Sequence, residues 1–179
     1  MIRDAPAPLR LVLAQSVLRP WKDGDQMGLV RHANNVSVAR NLRDLFPHPY
    51  TLADANAWIS RNPPVDRPLS LAIEIGGEVG GGIGLTPQVD IYRHSAEVGY
   101  WLGEAFWGRG IMTEAVAAFS NYAFETWGFH RLYACVFARN AASARVLEKA
   151  GYVCEGLQRQ AAFKEGVYQD EYLYARLRG

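Results

Sequence analysis

The sequence predicts a mixed α/β (α+β) fold, a sheet with helices interleaved along the chain. Three observations carry that reading. The runs "LSLAIEI", "SAEVGYWLG" and "HRLYACVFA" are rich in β-branched, aromatic and apolar residues and are bounded by turn formers. The segment "IMTEAVAAFSNYAFETW" instead places Ile111, Ala115, Val116, Phe119 and Ala123 along one helical face. A length of 179 residues suits one compact domain, so the expected organisation is a single unit over residues 1–179.

"RLVLAQSVLRPW" reads as an opening strand region that ends at Pro20, where the missing N–H cannot serve a ladder. From Asp23 to about Leu45 the residues are helix-compatible, with "HANN" as an interruption. Pro47 and Pro49 in "FPHPYT" exclude regular structure. "TLADANAWISR" then opens a helix with Thr51 as its cap and Asp54 at the third position, the spacing of a reciprocal capping box. "LSLAIEI" and "VGGGIGL", joined by "GGE", read as two antiparallel strands. The glycine cluster from Gly80 to Gly84 leads into a strand and not a helix, so it is a glycine-rich strand with bulges and no nucleotide loop. Gly128 stands where the long helix should end. "NAASARVLEKAG" is a short helix with Asn140 as N-cap and Gly151 just past its end. "YVCEGLQRQAAF" and "DEYLYARL" supply the closing strands.

Composition narrows the partners. Lys plus Arg, 19, nearly balance Asp plus Glu, 18, without a basic tract, so neither nucleic acid nor a membrane surface is expected. No apolar run approaches the ~20 residues that span a bilayer. In "MIRDAPAPLRLVLAQ", Asp4 and two prolines do not fit a signal peptide, and a cytoplasmic location is expected. Cys135 and Cys154 lack metal-type spacing and sit in apolar strand contexts, so buried reduced thiols and no metal are expected.

"EAFWGRGIMTEA" sets Gly108 and Gly110 around Arg109 at the mouth of the long helix. Glycine costs up to ~1 kcal/mol inside a helix, so the pair must serve the turn. A strand end, a glycine turn and a helix N-terminus present unpartnered N–H groups and the positive end of a helix dipole, which is an anion site. A plain strand-to-helix turn would use the same residues. No "GK[ST]" follows and the third glycine of the dinucleotide fingerprint is missing, which excludes both of those loops.

"AEVGYWLGEAFWGRGIMTEA", followed further on by "NAASARVLEKAGY", resembles the RimJ/RimL-like branch of the GNAT superfamily of N-acetyltransferases. The "GYWL" strand, the "GRG" turn, the "TEA" helix start, "NAAS" and "EKAGY" carry the resemblance. "LRPW" and "PHPYTLADANAWI" look like the branch's N-terminal elements, so it covers nearly the whole chain. It implies a single GNAT-like domain, a twisted, mostly antiparallel sheet with helices on both faces. That sheet would be splayed open between "AEVGYWL" and "RLYACVF", with acetyl-CoA as co-substrate in the cleft. The pantetheine arm would pair with the backbone of Tyr100, Trp101 and Leu102. The pyrophosphate would rest on Trp107, Gly108, Arg109, Gly110, Ile111 and Met112. The superfamily pattern has Gln or Arg in place of Trp107 and Gly or Ala in place of Met112.

The same resemblance implies catalytic roles. Glu97 would be base or water relay, its partly desolvated carboxylate raised in proton affinity; pairing with Arg93 or His94 is the plainer alternative. Asn140 would bond the pantetheine besides capping its helix. Ser143 would donate to the departing sulfur, because Leu147 stands where many members carry a tyrosine. "QAAF" replaces a RimL-like "QAEY", so Ala162 lacks a carboxylate and Phe163 a hydroxyl. Asn34, Asn35, His48 and Tyr50 are candidates for the acceptor side or plain capping and surface residues. The implied function is acetyl transfer from acetyl-CoA to a primary amine, a protein N-terminus or a small molecule, by direct attack on the thioester. The protein would act as monomer or homodimer. The alternative is a CoA-binding sensor or regulatory module without efficient catalysis.

Overall fold

The computed structural model describes residues 9–65 and 67–179, so the first eight residues of "MIRDAPAPLRLVLAQ", the part whose Asp4 and prolines do not fit a signal peptide, lie outside the described residues. The opening strand region holds two short strands, β1 (Leu11–Val12) and β2 (Val17–Arg19). Helices α1 (Gln26–Ala33) and α2 (Val36–Ala39) follow, broken at Asn34 and Asn35. Helix α3 (Leu52–Arg61) carries the expected capping box, with Thr51 and Asp54 bonding each other's backbone N–H groups. Strands β3 (Ser70–Ile75), β4 (Glu78–Pro87) and β5 (Ser95–Leu102) lead to the long α4 (Ile111–Trp127). Then come β6 (Arg131–Phe137), α5 (Ala141–Lys149), β7 (Val153–Lys164) and β8 (Val167–Leu177).

These eight strands form one sheet in the order β1-β2-β3-β4-β5-β6-β8-β7. All neighbours are antiparallel except β5 and β6. Alternation along β3 sorts its residues between two cores. Leu71, Ile73 and Ile75 join α4 and α5 on one face, while Ala72 joins α1 and α3 on the other. The expected bulge sits at Gly80, where Ile73 pairs with Gly81 but Glu74 pairs with Val79. The extra residue flips the face, so Val79 meets α1 while Ile83 and Leu85 meet α4.

Strand β7 lies at the sheet edge and is exposed along nearly all its length. Cys154 is therefore exposed, against the expectation of a buried thiol, and Cys135 is half-buried. Among the described residues no helix is long and apolar enough to cross a membrane.

Candidate active site

The sheet opens because β5 and β6 keep different partners. Their parallel pairing stops after Ser95–Arg131, Ala96–Leu132 and Glu97–Tyr133. Beyond it β5 follows β4 to Leu102, while β6 follows β8 to Phe137. A cleft of about 1540 Å³ occupies the divergence. Gly103 N–H donates to the Gly80 carbonyl at 2.8 Å, which sets the phase of the β4–β5 ladder. Alternation from that bond gives the backbone of Trp101 and Gly99 to β4 and turns Tyr100 and Leu102 toward the open edge. Trp101 thus drops out of the expected backbone set, since its N–H and C=O serve the sheet. The Leu102 carbonyl accepts the Trp107 indole N–H at 2.8 Å.

Gly108 and Gly110 have φ of +75° and +79°, and Gly110 is the N-cap of α4. That left-handed backbone is what requires glycine at the turn. A Cβ built at either position meets nothing within 4 Å, so the turn faces open space. Ile111 and Met112 are buried in the core and also line the cleft where α4 begins. Arg109 differs from expectation: its guanidinium leans to Gln15 Oε1 at 3.4 Å and to the Phe106 ring at 5.9 Å, outside the cleft lining.

Across the cleft, Asn140 caps α5 by accepting the Ser143 N–H at 3.2 Å, and both residues line the opening. The Ser143 hydroxyl lies 2.7 Å from the Tyr100 hydroxyl. This contact between β5 and α5 spans 43 positions and had no signal in the sequence. Burial pushes the Tyr100 hydroxyl well above the ordinary phenol range, so it holds its proton and can donate through Ser143. Leu147 is fully buried and takes no part. In a double-mutant cycle by thermal denaturation, Ser143→Ala should cost about 1–2 kcal/mol and less once Tyr100→Phe removes the facing hydroxyl. Additive costs would mean that the two hydroxyls do not interact.

The opposite sheet face carries the acidic wall. Glu97 is 16% exposed and forms an ion pair with Arg43, from the loop after α2, and not with Arg93 or His94. Glu171 of β8 lines the same wall; burial, opposed by Arg43 and assisted by Glu97, raises its pKa above the usual carboxylate value. Burial also pushes the Cys135 thiol up to about 11, which keeps it protonated at neutral pH. Ala162 lines a side chamber of about 290 Å³ together with Glu171. Glu171 escaped the sequence reading, although it alternates with Leu173 and Ala175 on one strand face, where a carboxylate is out of pattern.

The other acceptor-side candidates divide. Tyr50 is buried and lines the cleft, its hydroxyl pushed up to about 12 by burial. Asn34 accepts the Tyr50 N–H at 3.0 Å, and Asn35 caps α2 and reaches Glu104 at 2.7 Å. His48 is exposed and outside the cleft lining. Among the described residues no group of three or more His, Cys, Asp or Glu could hold a metal ion.

Comparison with known proteins places these features in a family. The acetyltransferase (GNAT) domain family matches residues 16–153. A probable N-acetyltransferase, YjcK, of Bacillus subtilis is 46% identical over 83 residues, 46% of each chain. A ribosomal-protein-serine acetyltransferase of Escherichia coli is 31% identical over 90 residues, 50% of each chain. The chain thus spans about half the length of these curated relatives. The solved RimL ribosomal L7/L12 alpha-N-protein acetyltransferase, in complex with coenzyme A, superposes with a TM-score of 0.79 at 20% identity. That likeness covers 93% of this chain and 96% of the other, and shows the fold.

Proposed function

Because the chain belongs to the GNAT acetyltransferase domain family, we propose that it transfers the acetyl group of acetyl-CoA to a primary amine. The observation that carries this reading is the splayed β5–β6 edge running into a left-handed glycine turn at the N-terminus of α4. The open-edge backbone of Tyr100 and the N–H of Leu102 would hold the pantetheine as an added strand. The N–H groups from Gly108 to Met112 would hold the pyrophosphate, with Asn140 reaching the pantetheine from α5. Acetyl-CoA supplies an activated acyl group. The chain's own part is to orient it, to exclude water with the Trp101 and Phe46 wall, and to move protons through Glu97 or Glu171 and Ser143.

A protein or peptide N-terminus is the acceptor favoured here. An α-amino group has a pKa near ~7.7–8.0, so a weak base suffices to free its lone pair. The Escherichia coli relative, matched over half its length, is named for acetylating a ribosomal-protein serine. The whole chain acting as one cytoplasmic domain, without a metal, belongs to the same reading.

A thermal-shift titration with acetyl-CoA tests it, with dephospho-CoA and ATP as controls. Ligand at about 100 times its Kd adds roughly 2.7 kcal/mol, a rise of several degrees. A rise with acetyl-CoA and none with ATP is expected. No rise at millimolar acetyl-CoA would overturn the reading.

A further inference from the structure

Four strands turn one face toward the acidic side of the cleft, and their charges nearly cancel in pairs. Strand pairing sets Glu97 beside Tyr133 and Glu171 beside Phe137, and alternation along β6 puts Tyr133, Cys135 and Phe137 on that one face. The ionisable groups around Glu171 are Arg43 and Asp44 from the loop after α2, Glu97 from β5, Cys135 from β6 and Lys164 from β7, with Tyr133 of β6 next along, beside Glu97. Lys164 bonds Asp44 at 2.6 Å. Arg43 is committed to Glu97. Arg139, over the Phe137 ring at 5.1 Å, donates to the Arg40 carbonyl. Glu171 is left over: among the described residues it has no hydrogen-bond or ion-pair partner, and it is the carboxylate that lines both the cleft and the side chamber behind it.

We propose that Glu171, and not the paired Glu97, is the catalytic base that takes the proton of the incoming amine. The proposal rests on the acetyltransferase reading and names the proton's destination within it. A carboxylate without a bonded partner attracts the acceptor's ammonium. It takes one proton, freeing the nitrogen lone pair. The N–C bond forms as the C–S bond of the thioester breaks; the nitrogen's second proton passes to the departing sulfur by way of Ser143, and the Glu171 proton returns to water. The carboxylate missing at Ala162 is thereby supplied to the same chamber from the neighbouring strand. A base with raised proton affinity is suited to an α-amine, and burial gives Glu171 that character.

Two readouts test the assignment, on the full chain. The first is a carboxyl NMR titration of protein labelled with ¹³C-glutamate, comparing wild type with Glu171→Gln and Glu97→Gln. A resonance missing from Glu171→Gln should titrate above the free-glutamate range. The sign carries over to stability. A carboxyl whose folded pKa is raised loses stability for the fold as pH climbs from the unfolded value through the folded one. Glu171→Gln should therefore gain in melting temperature on wild type as pH rises above about 4, the ordinary glutamate range.

The second readout is CoA release from acetyl-CoA, with peptides bearing a free N-terminal serine, alanine or methionine as acceptor probes. Glu171→Gln should lower kcat/KM roughly 100-fold or more and flatten the acid limb of its pH profile, while the acetyl-CoA thermal shift persists. Glu97→Gln should keep an acid limb but move it to lower pH, because Arg43 is then free to act on Glu171 and the neighbouring negative charge is gone. A Glu171 signal within or below the ordinary glutamate range, or an intact acid limb in Glu171→Gln, overturns the proposal. Failure of the wild type to acetylate any probe while still binding acetyl-CoA would sink the peptide acceptor, and the titration would still decide on Glu171. Absence of the acetyl-CoA shift would sink the acetyltransferase reading itself.

Discussion

Asp25→Ala should destabilise the protein by about 3–5 kcal/mol, the cost of breaking a buried ion-pair network from one side. Arg19 and Asp25 side chains are 7% and 4% exposed and meet through two parallel bonds of 2.8 Å. Glu74 takes the remaining guanidinium edge at 2.5 Å, and Asp25 also accepts the Lys22 N–H at 3.0 Å. Removing Asp25 strands a guanidinium edge and a backbone donor together. At roughly 2–4 °C per kcal/mol for a chain of this size, the melting temperature should fall by about 6–20 °C. The contrast that separates charge from packing is the triple change Arg19→Met, Asp25→Leu and Glu74→Leu, which should recover much of the loss. A drop of less than about 3 °C in Asp25→Ala would mean that water reaches the cluster. The cluster flanks Trp21 in the chain; the Trp21 indole N–H donates to Ser70 Oγ at 2.9 Å, and its ring meets Trp58 of α3 edge-on at 5.8 Å. Trp58, Phe46 and Trp101 form the wall opposite α5.

What was legible in the sequence was what short-range chemistry determines. The Thr51–Asp54 box, the Asn140 cap and the glycines at both ends of α4 each depend on groups within a few residues, so their patterns survive in one dimension. The helical spacing of "IMTEAVAAFSNYAF" assigned the buried face of α4 correctly for the same reason. Contacts that cross the fold left no such trace. Arg43 reaches Glu97 from 54 positions away, and Tyr100 meets Ser143 from 43. Nothing in "NLRDLF" marks its arginine as the partner of a strand carboxylate. Strand phase was equally hidden: that Tyr100 and Leu102 face the open edge while Trp101 serves β4 follows from the Gly103–Gly80 bond and not from "GYWL". The exposure of Cys154 depends on β7 ending the sheet, a matter of topology and not of composition.

Gly110→Ala and Gly128→Ala should separate the fold's use of glycine from the ligand's. The two residues bracket α4 with φ of +79° and +69°, and a Cβ built at either meets nothing within 4 Å. Sterically the substitutions are therefore equivalent: each forces an L side chain into the left-handed region at about 1–2 kcal/mol. Melting temperatures should fall by similar amounts, roughly 2–8 °C. Their surroundings differ. Gly110 faces the cleft with the first N–H groups of the helix behind it, whereas Gly128 closes the helix away from the cleft lining. A methyl group at Gly110 would stand where the proposed pyrophosphate approaches those donors, so acetyl-CoA affinity should weaken about 10–100-fold, or 1.4–2.7 kcal/mol. Gly128→Ala should bind acetyl-CoA as the wild type does. Calorimetric titration of both variants, at a temperature where each is folded, reads the difference directly. Equal affinities in the two would mean that the pyrophosphate does not rest on this turn, and that the left-handed glycines serve the strand-to-helix connection alone.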